Sequence, residues 1–357
     1  WLGQVRIINK GVKMAVKAKP LGISVVLALL LVGGVLLLVE AGTDGPPPLL
    51  AQGPDGDGVL YVSFDGTCGG KKPCFPTVQE AVDAVDDPND EIWVSTGVYT
   101  DVVARAGAMQ IGYISKSLTL RGGYNADYTQ VDPMAYPTVL DAEGQGRVLY
   151  ITDTVTVENF TLIGGSSTTG GGVYATLRGD THITFAGNVI TGNTVTGGGG
   201  GGGMYINGEG QSKGTVMLSG NTFQGNTAQN GGGLTIGNGS GADSADIVVT
   251  GNTFRHNTAH NAGGALQIWE SRMTFTDNDV VSNTAWSAGG LWLDSRSRGI
   301  ARNNLIVSNT ANDCGGGIKD EGWWKMEAKQ VISNTAGYGG GICDVYLDTV
   351  YHGDESA

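Results

Sequence analysis

The chain has 357 residues, 61 of them glycine, and a formal net charge of −13. Residues 1–41 hold five of the 21 basic side chains and one of the 34 acidic ones, so the remainder carries 33 acidic against 16 basic, a net charge of −17. That balance disfavours nucleic acid and anionic membranes as partners, and glycines gathered in GGG blocks without a three-residue period exclude a collagen-like chain and argue for turns.

In chain order, Arg6, Lys10, Lys13, Lys17 and Lys19 precede an apolar run from Leu21 to Val39, and Val39-Glu40-Ala41 resembles a small-x-small cleavage site. The run is 19 residues long. It fits both a signal peptide and a retained N-terminal membrane anchor, and the basic flank sends everything after residue 41 outward in either case. Met14 is a better start than Trp1. The expected division is a signal or anchor over 1–41, a Gly/Pro-rich linker over 42–58 and one repeat domain over 59–357, placed outside the cell or at its surface.

Cys68 and Cys74 sit in one short loop, Cys-Gly-Gly-Lys-Lys-Pro-Cys, and an exported chain is expected to bridge them. Cys314 and Cys343 lie about one repeat apart, and their pairing is left open. None of the four has zinc-type spacing with His. Thr77–Val85 reads as a short amphipathic helix with Val78, Ala81, Val82 and Val85 on one face. Thr77 and Glu80 form a capping-box pattern. Strands are expected at Ile92–Val94, Ser117–Leu120 and Val148–Ile151.

From Asn188 onward one phrase recurs, Asn-x-hydrophobic-x-x-Asn-Thr. Its second Asn falls at 193, 226, 257, 283, 309 and 334, in steps of 33, 31, 26, 26 and 25 residues. In the last copy Lys329 replaces the first Asn. A period near 25 with longer steps is the mark of a solenoid whose coils tolerate loop insertions. Each repeat offers three strand-like pieces: one after the glycine block (Met204–Ile206, Leu291–Leu293), a second (Thr215–Leu218, Arg272–Phe275), and a third carrying the hydrophobe of the phrase (Ile190, Phe223, Phe254, Val280, Ile306, Val331). Three strands and three turns in about 25 residues predict an all-β, parallel β-helix solenoid of about ten coils, its open N-terminal edge covered by the helix. The two Asn sets are expected to form amide ladders between coils and to take the left-handed backbone of the bends. No matching cap pattern precedes Ala357, which predicts a longer chain or a covering partner.

At these residues the sequence resembles right-handed parallel β-helix proteins of the pectin-lyase-like superfamily. Phe223-Gln-Gly-Asn226 and Phe254-Arg-His-Asn257 resemble the FxxN motif of polymorphic outer membrane protein repeats. Gly263-Gly-Ala-Leu266 and Gly316-Gly-Ile318 resemble its GGA[IL] partner. The resemblance implies the fold over residues 59–350, together with surface display and adhesion.

Solenoids place function in the turns that vary. Here that is the turn after the glycine-block strand: Asn207–Gly214, Gly237–Asp246, Trp269–Arg272, Asp294–Gly299 and Asp320–Lys325. Exposed aromatics near polar side chains make Tyr205, Gln267, Trp269, Trp292, Lys319, Trp323 and Trp324 the candidate ligand-binding residues, for a surface glycan or a protein partner. Asp294, stacked on Glu321, and Asp320, stacked near Asp344, are the candidate catalytic carboxylates at about the spacing of retaining glycosidases. Arg296, Arg298 and Arg302 are nearby. Lyases of the superfamily use calcium-binding carboxylates with a basic residue, so Asp294 and Glu321 are also the candidate calcium position. The repeat reads Asn-Thr-Ala, not the Asn-Thr-Asp of the superfamily's hydrolases. The preferred expectation is therefore a non-catalytic adhesion, glycan-binding or scaffolding protein without a cofactor. A polysaccharide lyase or glycoside hydrolase is one alternative, and a stalk or filament subunit that stacks end to end is the other.

Overall fold

The computed structural model describes residues 25–32, 35–42, 58–209, 213–239, 246–327, 330–344 and 350–351. The basic residues 6–19, the linker residues 43–57 and Lys329 lie outside the described residues, as do the middles of the turns at 207–214 and 237–246. The chain divides into two compact units, Trp1–Leu50 and Ala51–Ala357. In the first, the apolar run forms strands Val25–Val32 and Val35–Gly42, paired antiparallel. Among the described residues, no helix is long and apolar enough to cross a membrane.

The second unit is a parallel β-helix of about ten coils. Three sheets of twelve, nine and ten strands run along it, called here the first, second and third, and six short strands form a fourth. One coil shows the path. Met204–Glu209 lies in the third sheet, Thr215–Ser219 in the first, Thr222–Gln224 in the second and Thr227–Asn230 in the fourth. The sequence pattern led us to expect three strands per coil. The fourth arises because Thr194, Thr227, Thr258, Thr284 and Thr310, each just past the second Asn, stay extended and pair with one another before the glycine block turns the chain.

The interior is made of stacked columns. Ile190, Phe223, Phe254, Val280, Ile306 and Val331 are in unbroken register, and the phenyl rings of Phe223 and Phe254 stack at 4.7 Å. Each such side chain withdrawn from water contributes about 1.5–3 kcal/mol.

Both Asn sets form the expected ladders, and every member from Asn188 to Asn309 is buried. Asn226 shows the pattern. Its backbone N and Nδ2 both donate to Oδ1 of Asn257 on the next coil, at 3.1 and 3.0 Å, while Nδ2 also donates to the carbonyl of Ile190 on the previous coil at 2.9 Å. A buried amide is thereby satisfied at both ends. The left-handed residue is not the Asn but its predecessor. Gly187, Gly220 and Gly251, then Asp277 and Asn303, precede the first column; Gly192 and Gly225, then His256, Ser282, Ser308 and Ser333, precede the second. The Asn side chain needs an extended backbone to aim along the axis, so the bend falls one residue earlier.

The helix Val78–Ala84 has Thr77 as its cap, its hydroxyl accepting from the Glu80 N–H at 3.2 Å. Val78, Ala81, Val82 and Val85 are buried in the same core cluster as the first coils. Buried Gln79 fastens the helix: its Oε1 accepts from the Tyr113 N–H at 2.7 Å and its Nε2 donates to the Tyr113 carbonyl at 3.3 Å. Cys68 is bonded to Cys74, and Cys314 to Cys343. The second bridge joins the glycine block of one coil to the third-sheet strand of the next.

Candidate functional site

The third sheet presents one outward residue per coil in continuous register: Tyr113, Tyr150, Tyr174, Tyr205, Thr235, Gln267, Trp292, Lys319 and Cys343. Strand alternation dictates this, because the residues on either side of each point into the core. The column joins Tyr205, Gln267, Trp292 and Lys319 on one face. It also carries three tyrosines that the sequence reading passed over. Successive ring centroids are 5.3, 5.3 and 5.5 Å apart, and Tyr174 lies parallel to Tyr205 within 4°. Burial pushes the Tyr174 and Tyr205 hydroxyls up from their ordinary pKa, so both stay protonated donors.

Further along the face the column changes character. Gln267 was expected to be exposed, yet only 1% of it is accessible. Beside it, the indole of Trp269 and the Tyr205 hydroxyl converge above Gly237. A Cβ there would lie 3.6 Å from Trp269 Cε3 and 3.0 Å from Tyr205 Oη. Trp269 is 36% exposed. Lys319 Nζ stands 5.9 Å from the Trp292 ring and 2.8 Å from Glu321 Oε1. Gln267 Oε1 and Trp292 Nε1 are both buried without a hydrogen-bond partner, and these two residues are register partners on neighbouring coils.

The remaining tryptophans lie elsewhere. Trp323 is 67% exposed on the first sheet, in register with Arg298. Trp286 is exposed on the fourth. Trp324, expected on the binding face, points into the core, and its Nε1 donates to Ser297 Oγ at 3.0 Å. Alternation within Trp323–Glu327 accounts for this, since two adjacent tryptophans on a strand must face opposite ways.

The candidate carboxylates are each engaged locally. Asp294 Oδ1 accepts from the Arg296 N–H at 3.0 Å, closing its own turn. Glu321 aligns with Asp294, its N–H bonding the Leu293 carbonyl at 2.8 Å, and its carboxylate pairs with Lys319. Asp320 is fully buried in register with Asp344, and its Oδ1 accepts from the Gly322 N–H at 2.8 Å. Of the nearby arginines, Arg296 pairs with Glu270 and Arg302 with Glu327. Hydrogen bonds from Lys325 and then Arg302 hold the Glu327 carboxyl below its ordinary range. Among the described residues, no three His, Cys, Asp or Glu side chains gather where they could hold a metal ion, and the Asp294–Glu321 pair does not form such a group.

A family model described as right handed beta helix region matches residues 183–350. This stretch covers the Asn ladders and the Trp269–Lys319 face. Comparison with curated proteins and with solved structures returns no match.

Proposed function

We propose that this chain is an exported, non-catalytic β-helix protein that binds a surface glycan on its third-sheet face, around Trp269, Gln267, Trp292 and Lys319, in adhesion or scaffolding. The observation that carries the reading is the pair of orphaned polar atoms, Gln267 Oε1 and Trp292 Nε1, one an acceptor and one a donor on facing coils. Both atoms are closed to solvent, so a ligand reaches them only when the two side chains turn outward, where hydroxyl groups, which donate and accept at once, match both. Leaving them unmet costs about 1–3 kcal/mol each. Sugars carry hydroxyls beside apolar C–H faces, and the partly exposed Trp269 indole offers such a face a stacking surface. The engagement of Asp294, Glu321 and Asp320 in turn closure, ion pairing and the core supports a non-catalytic role. Export rests on the basic residues 6–19 followed by the apolar run.

The test is a polysaccharide array probed with the full chain and with Trp269→Ala, Gln267→Leu and Trp292→Ala. Loss of one glycan's signal in all three variants, with unchanged melting, is expected. An unchanged profile removes this face as the site. Turnover of a uronate polymer that Asp294→Asn abolishes would replace the binding role with a catalytic one.

A further inference from the structure

Five coils toward the N-terminal side of Trp292, the same sheet holds a cation of a different kind. Arg147 opens the strand Arg147–Ile151 and is only 9% exposed. Its Nε donates to the Thr169 carbonyl at 3.0 Å, and its Cζ lies 5.4 Å from the Tyr150 ring centroid and 5.2 Å from that of Tyr174. Arg105, Arg121, Arg178, Arg296 and Arg302 all pair with carboxylates. Arg147 has no carboxylate partner among the described residues, although the chain is strongly acidic.

Among the described residues, the terminal nitrogens of Arg147 have no acceptor, and they are not closed off from solvent. The Tyr150 and Tyr174 hydroxyls bond to no described group either. Glu209 influences Tyr174 but is itself paired with Arg178 at 3.6 Å. Gln110, in register with Arg147, is buried with Oε1 unmet.

A guanidinium presents paired donors in a rigid fork that matches the oxygens of carboxylate, sulfate or phosphate. Two aromatic rings beside it displace water and strengthen that attraction. We propose that Arg147, Tyr150 and Tyr174 form an oxyanion-binding subsite on the outer face of the third sheet, taking the acidic group of a ligand. This assignment is independent of the Trp292 face, and either stands if the other fails.

The experiment is an NMR titration of the full chain with sulfate, phosphate and acetate against chloride at constant ionic strength, following Arg147 Nε–H and the Tyr150 and Tyr174 rings. Saturable shifts beyond those with chloride are expected, and the anion that saturates first identifies the acidic group. Arg147→Gln should abolish them. Arg147→Lys, which keeps charge but loses the fork, should weaken binding about tenfold. Tyr174→Phe, which keeps the ring and removes only the donor, should weaken it several-fold at unchanged melting temperature. Shifts no larger than with chloride, or equal saturation in Arg147→Lys and Tyr174→Phe, overturn the proposal.

Discussion

The indole of Trp324 occupies the space beneath Gly299 on the preceding coil: a Cβ on Gly299 would come within 2.7 Å of the ring's Cζ3. Ala301, the other inward residue of that strand, is small too. One coil is emptied so that the next can carry the largest side chain of the core. The same Cβ would run into the Met273 carbonyl, so Gly299→Ala clashes with backbone as well as ring. It should cost about 1–3 kcal/mol through overpacking. Trp324→Ala should cost about 3–5 kcal/mol through the cavity it leaves. Urea unfolding measures both, and a neutral Gly299→Ala would disprove the packing.

Within the ladders, cost should depend on position. Asn257→Ala strips the partners from Asn226 N, Asn226 Nδ2 and the Phe223 carbonyl. At about 1–3 kcal/mol for each buried orphan, the expected loss is at least about 3 kcal/mol. Asn334→Ala, at the half-buried end of the column, should cost less because water reaches the freed groups.

Asn257→Asp adds a pH signature. An ionised carboxylate there would face the Phe223 carbonyl and Asn283 Oδ1, both acceptors, inside the protein. Its folded pKa must therefore lie above its unfolded value near 4. The folded state then binds more protons in that window, so stability falls as pH rises through it. Denaturation midpoints that rise between pH 4 and 7 would contradict this.

Left-handed bends give a matched pair of variants. Ser308 has φ 57° and Gly225 has φ 60° at the equivalent position, with nothing within 4 Å of a Cβ built on Gly225. Ser308→Gly should gain roughly 0.5–1 kcal/mol, the relief of left-handed strain less the added freedom of the unfolded chain. Gly225→Ser should lose about as much. Thermal melting of the two variants should shift in opposite directions.

At the N-terminal end, the Tyr99 hydroxyl bonds the Ser95 carbonyl at 3.0 Å, and burial pushes its pKa up to about 12. Tyr124 and Tyr128 are raised in the same way. For a raised phenol, the stabilisation is intact below the unfolded value near 10 and is lost as pH climbs through the folded one. Tyrosinate absorbance from these rings should appear together with unfolding above pH 10. Ionisation of Tyr99 in a still-folded chain at pH 10 would count against this burial.

The register of the coils was legible in the sequence because the Asn phrase marks it. Once Asn193, Asn226 and Asn257 are aligned, the column from Ile190 to Val331 follows. Trp324 was misplaced because its burial depends on Gly299 and Ala301, one coil away, and local composition carries no such cross-coil complementarity. Gln267 looked available by alternation, and its burial arises from neighbours outside its own strand. Tyr113 and Tyr150 went unread because they lie on coils without the phrase; Tyr174 lies on the first coil that carries it, and Gly-Gly-Val-Tyr174 and Gly-Gly-Met-Tyr205 repeat the same local pattern, which could have revealed it. Gln79 gave no sign of its fastening role, since the partners that tie it to the first coils are backbone groups of Tyr113.

The ladder amides have one more property, which is direction. From Asn188 to Asn278 in one column and from Asn193 to Asn309 in the other, each Asn sends its backbone N–H and one side-chain proton forward to the acceptor of the following coil and reaches back to a carbonyl of the coil behind. A single side chain thus clasps three layers, and in each column every completed layer presents two waiting donors to the next. Extension toward the C-terminal side fills donors already held in place, so each finished turn acts as a template for its successor. A chain emerging N-terminus first, with its first turns sealed by the helix, can grow as a one-way ratchet.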